Sequence, residues 1–318
     1  MVFTLSGRHV LTAAKAVDLS TIGERLGRNL IPIPPERQNN FRSLPFVTQV
    51  SFSIPTGAET LALPPLPYPI VYAPVEVPPI EVRIGAIWTQ PLHPLVTSFD
   101  FGIYPPLWDI YIYNILDKSG FLFPLAIPRS LSLTFSEGGE PLRVELHFLS
   151  SYVAVLGGGE GDTPLPPTDP APPVTAHLRT VLSVGNDFSI THPRQVLSLN
   201  LSISNQLNAI HTFPADLWGS GDTHRRTPRL FSIGYSLVEM GMRTYTHPEV
   251  SGEEMNGKTL NCRLDCYDKE METVLLSFKV KGVITSSRLG VEANQALIWD
   301  VSLSAYGTPT TPPVEWLL

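Results

Sequence analysis

Apolar and polar residues alternate along much of the chain, and that alternation predicts strands. Phe46, Val50, Phe52 and Ile54 share one face of the segment 46–54. Ile80, Val82, Ile84 and Ala86 do the same in 80–88. Residues 109–115 are apolar or aromatic on both faces, as suits a strand covered on both sides. Leu131, Leu133 and Phe135 alternate with Ser132 and Thr134, and Leu142, Val144, Leu146 and Phe148 with Arg143, Glu145 and His147. The Glu137-Gly138-Gly139-Glu140 turn between them predicts a hairpin. Further strands are predicted over 178–184, 196–204, 231–237, 260–266, 274–280 and 297–306. The first forty residues read as irregular, with a capping box at Thr21 and Glu24 cut short by Gly27. Pro214 suits the first position of a short helix over 214–218.

Residues 157–173 interrupt the pattern with glycines and then prolines, the composition of a linker. Many short antiparallel strands on either side predict an all-β protein with minor α content, built as two β-sandwich or barrel-like domains. The expected division is 1–156, a linker at 157–173, and 174–318. Prolines also crowd residues 61–80, excluding a helix or central strand there. That span is expected to be an extended arm. Its Leu66, Tyr68, Ile70 and Tyr72 would leave an oily loop unless they pack on a neighbouring subunit.

Composition sharpens this picture. Only 16% of residues are charged, against roughly 25% in typical domains. So few charges cannot cover the surface of a free monomer, and contacts between chains are expected. The formal net charge of −7 argues against binding nucleic acid through phosphates as the main task. No apolar run reaches the roughly 18 residues of a membrane-spanning helix, so no membrane partner is expected. The N-terminal residues lack a basic segment followed by an apolar one, so synthesis in a reducing cytoplasm is expected.

Candidate chemistry is sparse. Cys262 and Cys266 fall on the same face of a predicted strand, about 13 Å apart and too far for a disulfide. They read as buried thiols, and no further Cys or His completes a zinc set. Asp265, Asp268, Glu270 and Glu272 lack the glycine and spacing of a calcium loop and read as a solvated turn. The eight histidines are scattered and read as surface or loop residues. No Gly-x-Ser-x-Gly or His-Glu-x-x-His motif occurs. No catalytic residue, cofactor or metal is expected, and an enzyme is not expected. Tyr104, Trp108, Tyr111 and Tyr113 could form a sugar-stacking platform, but core or interface packing explains them better. His224, Arg225, Arg226 and Arg229 form the most basic spot. A solvated loop, a contact with carboxylates of a neighbouring chain and phosphate binding all fit it. The second makes it a candidate interface, because the guanidinium fork pairs with carboxylates at two points.

The C-terminal half resembles the tail tube proteins of long-tailed, non-contractile bacteriophages. The resemblance is carried by Gln195-Val-Leu-Ser-Leu-Asn-Leu-Ser-Ile-Ser-Asn, the irregular stretch to Arg229, Leu230-Phe-Ser-Ile-Gly-Tyr-Ser-Leu, and the strands 274–283 and 296–305. Residues 46–54 and 130–155 are similar, more loosely, to the first half of two-domain members, whereas 31–128 departs from them. The resemblance implies a virion protein of the tail, made in the host cytoplasm, whose rings stack into a tube for genome delivery. It implies self-association and contacts with other tail proteins. DNA would pass through an acidic lumen without specific binding. Two similar domains per chain would give a trimer with pseudo-sixfold symmetry; an unrelated first domain would call for a hexamer. The alternative is a β-sandwich module of a tail tip that binds a host surface or carbohydrate.

Overall fold

The computed structural model describes residues 2–17, 41–54, 59–61, 70–72, 79–99, 106–135, 140–150, 153–156, 180–184, 190–193, 196–210, 230–245, 257, 259–267, 272–291, 297–307 and 312–317. In chain order the strands are β1 (Val2–Ser6), β2 (Val10–Ala16), β3 (Arg42–Ser43), β4 (Val47–Ser53), β5 (Glu59–Leu61), β6 (Ile70–Tyr72), β7 (Ile80–Ile87), β8 (Trp108–Asn114), β9 (Ser119–Phe135) and β10 (Arg143–Ser150). They continue as β11 (Ala154–Leu156), β12 (Thr180–Val184), β13 (Ile190–Pro193), β14 (Val196–Ile210), β15 (Leu230–Tyr245), β16 (Thr259–Tyr267), β17 (Val274–Val291), β18 (Leu297–Gly307) and β19 (Val314–Trp316). Helix among the described residues is confined to two 3-10 turns and α1 (His93–Thr97). The protein is all-β with minor α content. No described helix is long and apolar enough to cross a membrane.

The first half is a sandwich of two sheets that share β9. Residues Gly120–Ala126 of β9 pair with β8 or β11, and β2 and β3 extend that sheet beyond β8. From Ile127 onward β9 pairs with β10 and belongs to the facing sheet, where β7, β4 and β1 follow. The crossing point is built into the sequence. Pro124 and Pro128 flank it, and Leu125 takes a positive φ of 52°. Such a backbone is costly for leucine. The buried Asp109 carboxylate holds it, accepting the Leu125 N–H at 3.1 Å. Ser150 Oγ donates to the Pro124 carbonyl at 2.9 Å.

Between the sheets, Val10, Ala14, Ile110, Ile112 and Phe123 meet Val50, Val82, Ile84, Leu133 and Leu146 in one buried cluster. Phe52 lies within it, its ring 4.8 Å from Phe3, 4.9 Å from Phe121 and 5.2 Å from Phe123. Phe99, just after α1, packs edge-on to Phe148 at 5.0 Å.

The second half joins the first through hydrogen-bonded strands. β9 pairs with β14, setting Leu131 opposite Ile203, Leu133 opposite Leu201 and Phe135 opposite Leu199. The sheet then runs through β15, β18, β17, β16, β12 and β13. β19 continues along the β18 side of β17. The buried residues of both halves form one cluster. The linker segment 157–173 lies outside the described residues.

Several expectations need correction. The first forty residues are not irregular throughout, because β1 and β2 are regular strands with Val10, Ala13 and Ala14 buried. Phe46 does not share the buried face of β4. It sits at φ 51° before a bulge and is 42% exposed. β14 does not stop near Ser204; it passes a bulge at Asn205 and runs to Ile210. Asp265 is not in a solvated turn. It is buried in β16, where Ser277 Oγ donates to it at 2.5 Å and Arg263 pairs with it at 2.9 Å. Asp268 and Glu270, like the helix expected over 214–218, lie outside the described residues.

Candidate functional site

In β4, β7, β10, β14, β15, β18, β17 and the second half of β9, alternate residues face away from the core. Pairing registers align them into rows. One row holds Ser51, Arg83, His147, Ser130 and Ser204. The next holds Gln49, Gly85, Glu145, Ser132, Ser202, Glu239 and Ser304. A third holds Arg143, Thr134, Asn200, Gly241, Ser302 and Ser286. A fourth holds Ser198, Arg243, Asp300 and Arg288. This polar band crosses β4, β7, β10, β9, β14, β15, β18 and β17. At about 4.8 Å per strand spacing it is roughly 34 Å wide. Its outward charges are of both signs: Arg83, Arg129, Arg143, Arg243 and Arg288 stand with Glu81, Glu145, Glu239 and Asp300.

Two shallow concavities lie on the band, of about 760 Å³ over β7, β10 and β9 and about 500 Å³ over β14, β15 and β18. Beside the first stands a group of four titratable side chains, Glu81, Arg83, Arg129 and His147. Glu81 pairs with Arg129 at 3.0 Å and with Arg83 at 3.2 Å. His147 Nε2 is 3.6 Å from Glu81, beyond hydrogen-bond reach, and its Nδ1 is 3.4 Å from Ser130 Oγ. Serine, histidine and glutamate are the residues of a hydrolytic relay. Here both distances are long and two arginines hold the carboxylate, so the cluster acts as a cross-strand clamp.

Burial pushes the His147 pKa down to about 4; Glu81 opposes that shift, and Arg83 and Arg129 add to it. From pH 6.5 down to about 4 the unfolded chain therefore takes up a proton that the fold resists. Stability should fall as the pH drops through that window, by on the order of 2 kcal/mol, and should not respond to this group above it. Urea denaturation of the protein and of His147→Gln at pH 7 and pH 4.5 checks this. The variant should lose less on acidification; equal losses would exclude His147 as the source.

Residues expected to carry function fall into three groups. His224, Arg225, Arg226, Arg229, Leu66 and Tyr68 lie outside the described residues. Ile70 and Tyr72 belong to β6, which pairs with β5: Leu61 is opposite Ile70 and Glu59 opposite Tyr72. The expected arm is thus a two-stranded ribbon over those residues. Of the aromatic run, Tyr111 and Tyr113 are buried, and Trp108 Nε1 donates to Ser98 Oγ at 3.0 Å. They form packing and not an exposed platform; Tyr104 lies outside the described residues. Cys262 and Cys266 are buried on β16, and burial raises the Cys262 thiol far above its usual range. No group of three His, Cys, Asp or Glu among the described residues could hold a metal.

The strand ends that flank segments 54–79 and 211–229 lie at one end of the sheet. β4 and β7 are neighbours with Ser53 opposite Glu81, so the segment bearing the ribbon leaves from that end. Glu81 also faces Leu149, which faces Ile127 on β9. On the next strand, Ser204 faces Ser130 and β14 runs on past it in the same direction. Ile210 then faces Leu230, and the connection 211–229 leaves there. The polar band itself was not anticipated from the sequence. Its signal is the run of polar or glycine residues at alternate positions in 130–134, 198–204, 239–243 and 300–304.

The chain matches no known family, and no curated protein matches it.

Proposed function

We propose that the protein is the repeating structural subunit of a viral tail tube, a virion protein whose stacked rings surround the path of the genome. The polar band carries this reading. It is a broad wall on which small hydroxyl, amide and glycine positions alternate with charged side chains of both signs. A sliding polyanion meets charges of both signs interleaved with small polar side chains there, and the exposed ring of Tyr306 stands at the edge of the band. The resemblance implied an acidic lumen, whereas this band offers charges of both signs. The aromatic run that suggested the glycan-binding alternative weighs against it, because Tyr111 and Tyr113 are buried. Further support comes from the one end of the sheet at which the strands flanking 54–79 and 211–229 end. A head-to-tail contact made there, repeated by symmetry, closes a ring or extends a stack. The partners are copies of this chain, as a trimer with pseudo-sixfold symmetry or a hexamer, and other tail proteins. DNA passes without specific binding, and the role is not catalytic.

Negative-stain microscopy of the purified protein over a range of concentration and salt tests the proposal. Rings or tubes, with threefold or sixfold order in end-on views, are the expected result. A strictly monomeric protein that binds glycans would overturn it in favour of the tail-tip module.

A further inference from the structure

The smaller concavity on the polar band has the chemistry of an oxyanion site. Asp300 on β18 stands between two arginines, with Arg243 opposite it on β15 and Arg288 opposite it on β17. Arg243 Nε reaches Asp300 at 3.0 Å. Arg288 is exposed and makes no hydrogen bond or ion pair among the described residues. Arg243 is thus engaged by Asp300, and Arg288 is left as the guanidinium that faces the groove unengaged. The floor is open at Gly241, where an added Cβ would meet nothing within 4 Å. Asn200 and Ser302 flank that glycine, and Ser286 stands beyond Ser302. The concavity of about 500 Å³ thus joins a guanidinium without a partner to hydroxyl and amide donors around a vacant floor.

We propose that this groove binds a phosphoryl group, with Arg288 and Arg243 supplying charge and the Asn200 amide and the serine hydroxyls supplying donors. A guanidinium fork matches two oxygens of such a group at once, and hydroxyls can serve the remaining ones. The same chemistry serves a free phosphate or phosphomonoester and the phosphodiester backbone of a nucleic acid. The proposal does not rest on the tube reading, and if nucleic acid proves to be the ligand this face does not line the path of a sliding genome.

The test is calorimetric titration of the full chain, in low salt, with inorganic phosphate in one arm and a short oligothymidylate in the other. Saturable binding is expected, weakened at least tenfold by Arg288→Gln. Gly241→Glu should abolish it, because a carboxylate would then occupy the floor with no steric cost to the fold. Arg42→Gln, which removes the same charge from the other sheet, should bind as the parent does. Thermal melting of each variant confirms folding. Tighter binding of the oligonucleotide, with a steep salt dependence, identifies a backbone phosphate as ligand; tighter binding of phosphate identifies a free phosphoryl compound. No saturable binding in either arm would overturn the proposal, as would binding that Arg288→Gln and Arg42→Gln weaken equally.

Discussion

Asn205→Leu should destabilise the protein by roughly 2–4 kcal/mol, although the two side chains are similar in size. Asn205 is buried at a bulge in β14, where the two halves of the sheet meet. Its Nδ2 donates to the Phe99 carbonyl at 3.0 Å and to the Pro128 carbonyl at 3.3 Å. Its Oδ1 accepts from Ser236 Oγ at 2.6 Å. One amide thereby ties the segment after α1, the bent strand β9, and β15 to β14. Leucine would leave two carbonyls and a hydroxyl in the core without this partner. A buried polar group without a partner carries most of its desolvation cost. Asn205→Asp should also destabilise, because a carboxylate can accept from Ser236 but repels both carbonyls. Urea denaturation measures both. A loss below about 0.5 kcal/mol for leucine, the size of an ordinary surface substitution, would mean that water satisfies these groups.

Replacing residues 55–78 by a short Gly/Asn turn should abolish assembly and leave a folded monomer. The ribbon of β5 and β6 is inserted between β4 and β7, which pair directly from Val47 opposite Ala86 to Ser53 opposite Glu81. Removing the insertion shortens the hairpin connection without touching a paired residue of the main sheet. The core residues Val50, Phe52, Val82 and Ile84 stay in place, so the denaturation midpoint should change little. Assembly should suffer because the removed span carries the apolar Leu66, Tyr68, Ile70 and Tyr72 on a proline-stiffened frame, which loses little entropy on docking. Sedimentation velocity with microscopy reads the outcome. Rings or tubes that persist after the replacement would remove the arm from the interface.

Much of the strand content could be read from the chain itself. Alternation reports a choice each strand makes locally, which face to bury. β7, β10 and β18 therefore lie within a residue or two of their expected positions. The burial of Cys262 and Cys266 on one face of β16 followed from the same rule. Local pattern failed where a distant partner decides. Asp265 sits among charges that suggest a turn, yet Ser277 on the neighbouring strand provides the hydrogen bond that makes its burial tolerable. β14 continues past Ser204 because β15 offers a partner as far as Leu230.

The candidate site belongs wholly to this second kind of information. Ser132, Ser202 and Ser304 are unremarkable polar residues in three separate strands. They become one row only because β9 pairs with β14, β14 with β15, and β15 with β18, each in a single register. A slip of one residue in any pairing would turn that strand's polar set into the core. Likewise, Arg243, Arg288 and Asp300 lie on three different strands and meet only across them. The sequence by itself determined that this chain builds polar-faced strands with little charge. The tertiary structure decided which polar residues share a surface, because strand pairing is non-local and its register is set by the whole core.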